Sequence, residues 1–331
     1  MINYTSSSPL KTAVLFLVFN RPRLTLKSFE AIRKAKPLKF YVACDGPRPE
    51  KKGEETIVAE VQKIVNQIDW PCEVKKLFQP KNLGCSNGVA NAITWFFEHE
   101  EQGIIIEDDN LVHPDFFYFC ETLLNKYKDN LRISTISGDN FQNGNKRGEA
   151  TYYFSKYFGC WGWATWKREW KFYDKKINFW PQWKLSKDWI NKFPDKVERK
   201  YWENIFNIMY ETDFDSWAYR FLASIMHRGK LNIFPNVNLV SNIGFGEDAT
   251  HTKKADNQES NIPTQSLGKI IHPKLIEINY DADKYHFEWS FGGRNLQFPR
   301  SWAIMPKRIL YFIFRKISQS IKLYFKFSKP K

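Results

Sequence analysis

Three consecutive acids, Glu107, Asp108 and Asp109, follow directly on the apolar run Gly103-Ile104-Ile105-Ile106. A strand that buries β-branched residues and then ends in three acids has carried charge to the edge of a sheet. Two adjacent carboxylates ~4 Å apart repel by roughly 4 kcal/mol at an effective dielectric of about 20. A divalent cation with its phosphate ligands would offset that cost. The same acids also suit a plain strand end or a helix N-cap, because Asn110 to Pro114 leads into a helical pattern. The surrounding elements must decide.

Short β-rich runs at residues 13–19, 40–44, 74–78, 104–106 and 133–136 alternate with helical patterns. Leu26, Phe29 and Ile32 recur at helical spacing, and further helices are expected over 56–68, 89–97 and 116–127. Such alternation predicts an α/β fold, a mainly parallel central sheet covered by helices on both faces. Ligands of these sheets bind at the carboxyl ends of the strands. Asn20, Asp45 and the acids at 107–109 each lie just past a strand, so they are expected to converge on one edge.

The second half changes character. Nine of the 13 tryptophans fall between Trp161 and Trp217, and aromatics at that density mostly build core, with a minority left to stack on a sugar ring. Residues 244–252, Gly-Phe-Gly-Glu-Asp-Ala-Thr-His-Thr, place two glycines before a cluster of Glu247, Asp248 and His251. Glycines there allow close backbone approach to a ligand, as a lid over a nucleotide would need. Residues 281–299 read as irregular and polar. The loop 142–150 is expected to help build a specificity pocket.

Composition narrows the class. At 331 residues and 43% hydrophobic the chain can bury a large core. Its five scattered cysteines form no C-x-x-C pair, so neither a disulfide framework nor a zinc site is expected, and a reducing compartment fits. The apolar run at 13–19 is too short for a signal peptide, and no run reaches the ~20 apolar residues of a spanning helix. Nine Lys/Arg and no acid lie between Arg300 and Lys331, against a net charge of +14. Ile309, Ile313, Ile317, Ile321 and Phe325 recur every four residues there. This predicts a basic amphipathic helix, either on an anionic membrane surface or packed on the domain.

The series Val18-Phe19-Asn20-Arg21-Pro22, Ala43-Cys44-Asp45-Gly46-Pro47, Asn82-Leu83-Gly84, Ile106-Glu107-Asp108-Asp109 and Ile136-Ser137-Gly138-Asp139 resembles the GT-A glycosyltransferases. More narrowly, residues 105–109 with Pro114-Asp115-Phe116-Phe117, Gly162-Trp163 and Asp215-Ser216-Trp217 are similar to the N-acetylglucosaminyltransferase I family. The resemblance spans roughly residues 12–252. It implies a GT-A domain over 1–299, with a nucleotide-binding half at about 12–140 and an acceptor-side half at about 141–260, followed by the tail at 300–331. It also implies that Asp45 meets the nucleotide base, that Asn20 and Arg21 meet base or ribose, that Asp108 touches the donor sugar or a metal-bound water, and that Glu107 belongs to the same donor-binding motif. Asp109, with His251 as a second contact, would hold Mn²⁺ or Mg²⁺ bridging the donor's diphosphate. Asp215, ahead of Asp213 and Glu247, is the implied catalytic base, in an inverting, in-line transfer.

The expected activity is therefore metal-dependent transfer of a sugar from a UDP-sugar or similar donor to a glycan or lipid-linked acceptor in surface polysaccharide synthesis. The expected setting is cytoplasmic, peripheral on the inner face of the plasma membrane. A sugar-phosphate nucleotidyltransferase shares the sheet and the acid-bound metal, but it usually carries a glycine-rich phosphate loop after the first strand, absent from residues 18–22. A nucleic-acid-binding or lectin-like module is the non-enzymatic alternative. Basic charge confined to the tail, not interleaved with aromatics along one face, argues against nucleic acid as a partner.

Overall fold

The segment Val14–Val18 (β1) has no polar residue and no exposed one, as a strand covered on both faces requires. In the computed structural model, which describes residues 9–246, 259–297 and Arg300, it lies near the middle of an eight-stranded sheet. Chain order continues with Pro22–Ala35 (α1), Lys39–Cys44 (β2), Glu54–Val65 (α2), Glu73–Phe78 (β3), Gly84–His99 (α3) and Gln102–Glu107 (β4). Next come Asn110–Val112 (β5), Pro114–Lys126 (α4), Ile133–Ser137 (β6), Tyr152–Ser155 (β7) and Trp163–Trp166 (β8). Three short helices, Lys167–Trp170 (α5), Trp180–Trp183 (α6) and Lys187–Lys192 (α7), lead to Lys196–Glu211 (α8), Ala218–His227 (α9), Leu231–Pro235 (β9), Val240–Asn242 (β10) and Tyr280–Trp289 (α10).

The strand order is β3-β2-β1-β4-β8-β6-β9-β7. Only β8 and β7 run against the rest. This is the α/β architecture expected from the sequence, a mainly parallel central sheet flanked by helices. Alternation along the strands feeds two cores. Val14, Phe16 and Val18 face the side of α1, α2 and α4, whereas Leu15 and Leu17 face α3, α8 and α9. The second core takes most of the tryptophans: eight of the nine between Trp161 and Trp217 are buried, and Trp161 alone is half-exposed.

Local signals explain the boundaries. Helix α1 starts with Pro22 at its first turn and ends at Lys36, which adopts left-handed backbone at φ 47°. Its buried residues Thr25, Ser28, Phe29 and Ile32 make one face. Helix α8 is capped by Asp195, whose carboxylate accepts the amides of Val197 and Glu198.

Two expectations are corrected. The acids at 107–109 are not a helix N-cap: residues 110–112 form β5, which pairs antiparallel with β10 in a separate two-stranded ribbon, and α4 is capped by His113. Residues 281–299 are not irregular throughout, because α10 runs from Tyr280 to Trp289, capped by Asn279. No helix among the described residues is long and apolar enough to cross a membrane. His251, with Glu247 and Asp248, and residues 301–331 of the expected tail lie outside the described residues.

Candidate active site

Because β2, β1 and β4 are neighbours in the sheet, their carboxyl ends sit side by side at the ~4.8 Å strand spacing. Asp45, Arg21 and the acids at 107–109 are thereby placed on the rim of one cavity of about 560 Å³. Asp139, just past the end of β6, and Asp215, just before α9, line the same cavity. Topology alone thus gathers six acids and a guanidinium from five places in the chain.

Arg21 is the hub of the acid cluster. One guanidinium nitrogen donates to Asp108 Oδ1 at 2.7 Å and another lies 3.1 Å from Asp109 Oδ2. Burial alone would lower the Arg21 pKa, but the charges of Asp108, Asp109 and Glu107 outweigh it and the value is raised. Burial pushes the Asp108 carboxyl up, and Arg21 pulls it part of the way back. Burial also raises Glu107, and the negative charges of Asp109 and Asp108 add to the effect. Asn110, fully buried, holds this geometry: its side-chain amide donates to Asp109 Oδ1 at 2.9 Å, and its Oδ1 accepts the Gly162 amide at 2.8 Å.

The β5–β10 ribbon brings residues 243–246 onto the acids. The Ile243 amide donates to the Asp109 carbonyl at 2.9 Å. A Cβ at Gly244 would stand 2.3 Å from Asp109 Oδ2 and 2.7 Å from Arg21 Nη1. Only glycine fits there, which accounts for the first glycine of the 244–252 stretch.

Asp45 is heavily engaged. Its carboxylate accepts the Gly46 amide at 2.9 Å, the Leu83 amide at 2.9 Å and the Asn82 side chain at 3.1 Å. Against a capacity of about four lone-pair sites, this leaves little more than one for a base N–H. Burial raises the Asp45 pKa, and the Leu83 and Gly46 amides oppose the rise. Asp215 is exposed, and it caps α3 from across the cavity by accepting the Ser86 amide at 2.6 Å and the Cys85 amide at 3.2 Å. Asn82 Oδ1 accepts the Gly84 amide at 3.1 Å. The open amides at the start of α3 are therefore filled by side chains from three segments.

Asn20 stands apart from the cavity lining. Its side-chain amide donates to Glu54 Oε1 at 2.8 Å. Glu54 is also bound by the Arg48 guanidinium, which with help from the Arg48 and Asn20 donors brings its pKa down to about 2. Arg48, not Asn20, lines the cavity from this corner and lies over the Phe19 ring at 5.4 Å. The 142–150 loop contributes no lining residue; Phe141, just before it, does. Gln142 is instead buried, with its side-chain amide donating to the Ala282 carbonyl at 3.2 Å.

Asp139, Phe141, Trp161 and His286 make the far end of the cavity. Phe141 meets Trp161 and His286 edge-on or tilted, both at 5.2 Å between ring centres. Burial brings the His286 pKa down to about 3, so that ring is neutral at physiological pH. Sequence reasoning assigned none of Arg48, Asn110, Asp139 or His286 to the site. Position after a strand end was a usable signal for Asp139 alone.

The acid cluster bears on whether a divalent cation fits. Among the described residues no three His, Cys, Asp or Glu side chains converge as a cation cage. Hard cations that act on phosphates commonly take only one or two protein carboxylates and complete their shell from phosphate and water. The Asp109 and Asp108 carboxylates, both oxygen donors on the cavity rim and now sharing a guanidinium, fit that second pattern.

The chain matches no known family model and no curated protein. Solved structures with a similar arrangement of elements include a mannosyltransferase from Pyrobaculum calidifontis in complex with GDP-Man and Mn²⁺, at 11% identity and a TM-score of 0.33 over 50% of this chain and 47% of that one. The chain thus spans about half the length of that enzyme. An apo UDP-glucose pyrophosphorylase aligns at 11% identity and a TM-score of 0.35, over 68% of this chain and 90% of that one. A UDP-glucose complex of a UDP-glucose pyrophosphorylase aligns at 12% identity and a TM-score of 0.32, over 49% and 78%.

Proposed function

We propose that this chain is a GT-A glycosyltransferase that moves a sugar from a nucleotide-diphosphate donor, a UDP-sugar, to a hydroxyl of a glycan or lipid-linked acceptor. The observation that carries the reading is the meeting of Asp45, Arg21 and the acids at 107–109 at the ends of three adjacent strands, on a cavity of about 560 Å³. That volume lies within the ~300–1,000 Å³ of small-molecule sites. The motif order over residues 18–139 supports the same class.

In this reading the remaining acceptor site of Asp45 receives a base N–H, and Arg48 and Arg21 supply positive charge to the diphosphate. Asp109, with Asp108, would hold Mn²⁺ or Mg²⁺, which when bound offsets charge on the leaving diphosphate. The acceptor oxygen bonds to the sugar's anomeric carbon as the bond from that carbon to the diphosphate oxygen breaks. The hydroxyl proton passes to a carboxylate, for which Asp215 is our candidate, and the nucleoside diphosphate leaves. A single displacement of this kind inverts the anomeric centre. Surface polysaccharide assembly at the inner membrane face is the setting we propose, on the strength of the basic sequence at 300–331.

Calorimetric titration with a UDP-sugar panel, with and without Mn²⁺, beside Asp109→Ala, tests the reading. Metal-dependent binding that the variant loses is expected. Absence of binding to any UDP-sugar in either condition would remove the UDP assignment, and pyrophosphate formation from UTP and a sugar phosphate would move the chain to the nucleotidyltransferases.

A further inference from the structure

Asp139 is the buried acid that the proposed reaction leaves without a role. It is 1% exposed, and among the described residues its Oδ1 has no hydrogen-bond partner. Oδ2 accepts the Trp161 amide, at 3.3 Å. A buried carboxylate oxygen without a donor is costly, and burial has pushed this carboxyl up to about 8. The chain keeps space for that oxygen: a Cβ at Gly159 would lie 2.1 Å from Asp139 Oδ1. Asp139 and Gly159 both line the cavity, beside the half-exposed rings of Phe141 and Trp161.

An acceptor oxygen beside flat apolar rings is the arrangement that receives a pyranose: the ring's C–H face packs on the aromatic, and a hydroxyl donates to the carboxyl oxygen. We propose that Asp139 is a specificity-determining residue, whose Oδ1 accepts a hydrogen bond from one hydroxyl of the transferred sugar lying against Trp161. This rests on the nucleotide-sugar reading and extends it from the nucleotide to the sugar. Donors that lack that hydroxyl, or present it in the opposite configuration, leave the oxygen unpaired and are discriminated against.

The test is titration of the full chain, with Mn²⁺, against nucleoside diphosphates and their sugar conjugates, including hexose epimers and monodeoxy hexoses. Wild type is compared with Asp139→Ala, which removes the acceptor, and Gly159→Ala, which displaces the carboxyl group without removing it. Thermal unfolding verifies that each variant is folded. For all three proteins the bare nucleoside diphosphate is expected to bind within ~2-fold of the same affinity. The extra affinity given by the preferred sugar is expected to fall by ~2–10-fold in both variants, as loss of a hydrogen bond to an uncharged group requires. In wild type the deoxy donor missing the contacted hydroxyl should show the same loss, with little further loss in Asp139→Ala. An unchanged sugar contribution in both variants, with nucleotide binding intact, overturns the inference and leaves the nucleotide-sugar reading standing. Failure of wild type to bind any nucleotide or nucleotide sugar overturns both.

Discussion

Asp215 caps α3 and is proposed as the proton acceptor, and substitution can separate the two. The carboxylate takes two amides, at 2.6 and 3.2 Å, from the first turn of a 16-residue helix. Loss of a capping side chain costs about 0.5–2 kcal/mol, and its negative charge at a helix N-terminus adds about 0.3–1 kcal/mol. Asp215→Ala is therefore expected to lose about 1–2 kcal/mol, which at about 1.5 °C per kcal/mol for a chain of this length lowers Tm by about 1.5–3 °C. Asparagine caps nearly as well as aspartate, so Asp215→Asn is expected to lose no more than about 1 kcal/mol, the charge contribution. An amide is a poor proton acceptor, however, and loss of a general base lowers turnover by about 10²–10⁴-fold. Differential scanning calorimetry and a nucleoside-diphosphate release assay on the two variants give the comparison. Asp215→Asn with turnover within about 5-fold of wild type would refute the base assignment. Asp215→Ala with unchanged Tm would refute the capping argument.

Replacing Arg21 by alanine leaves Asp108 and Asp109 facing each other; unfolding in urea is expected to show a loss near the ~3 kcal/mol lower end for broken buried pairs, and Mn²⁺ should restore more stability to this variant than to wild type. Glu54 has a folded-state pKa of about 2 against an ordinary value of 4.5, so its contribution is present above about pH 4.5 and is lost as pH falls towards 2. Glu54→Gln should accordingly be less stable at neutral pH and show a flatter acid limb in pH-dependent unfolding. Asp139 has the opposite sign: its folded pKa of about 8 lies above the ordinary 3.8, so wild type sheds stability as pH rises from about 4 to 8. Asp139→Asn should be the more stable protein at pH 8, and an unchanged Tm there would count against the burial argument. Trp202 is fully buried and Trp161 is not; Trp202→Ala is expected to cost about 3–5 kcal/mol, and Trp161→Ala to spare stability while weakening donor binding in the calorimeter.

What the sequence disclosed followed from burial pattern. The strands Val14–Val18 and Gln102–Glu107 and the helices α1 to α4 were legible because unbroken apolar runs and apolar residues at helical spacing are the direct imprint of a doubly covered sheet. Strands β7 and β8 were not, because Tyr152–Ser155 and Trp163–Trp166 are four residues each, and their aromatics suit any core element. Helix α10 was hidden for another reason: of its four buried residues, Ala282, Asp283, His286 and Phe287, two are polar, which erases the apolar stripe. In the site, the convergence of Asp45 and the acids could be read from strand ends alone, but the same rule pointed to Asn20, whereas its neighbour Arg21 is the residue that lines the cavity. That Asn20 turns to Glu54, and that Asp45 and Asp215 serve the start of α3, depend on which neighbours the sheet order supplies. No pattern within one chain segment encodes those contacts.

Arg21 gives the acid pair a resident counter-ion, which bears on the order in which ligands arrive. If the proposed metal role of Asp108 and Asp109 holds, free Mn²⁺ alone would have to evict a guanidinium already shared between the two carboxylates. A diphosphate arriving with the cation offers that guanidinium new anionic oxygens at the same moment, so exchange replaces eviction. Cation and nucleotide should therefore each tighten the other's binding by the same factor. By the same logic the empty chain has no need of a cation to keep its fold, and a chelator should strip activity while leaving Tm where it was.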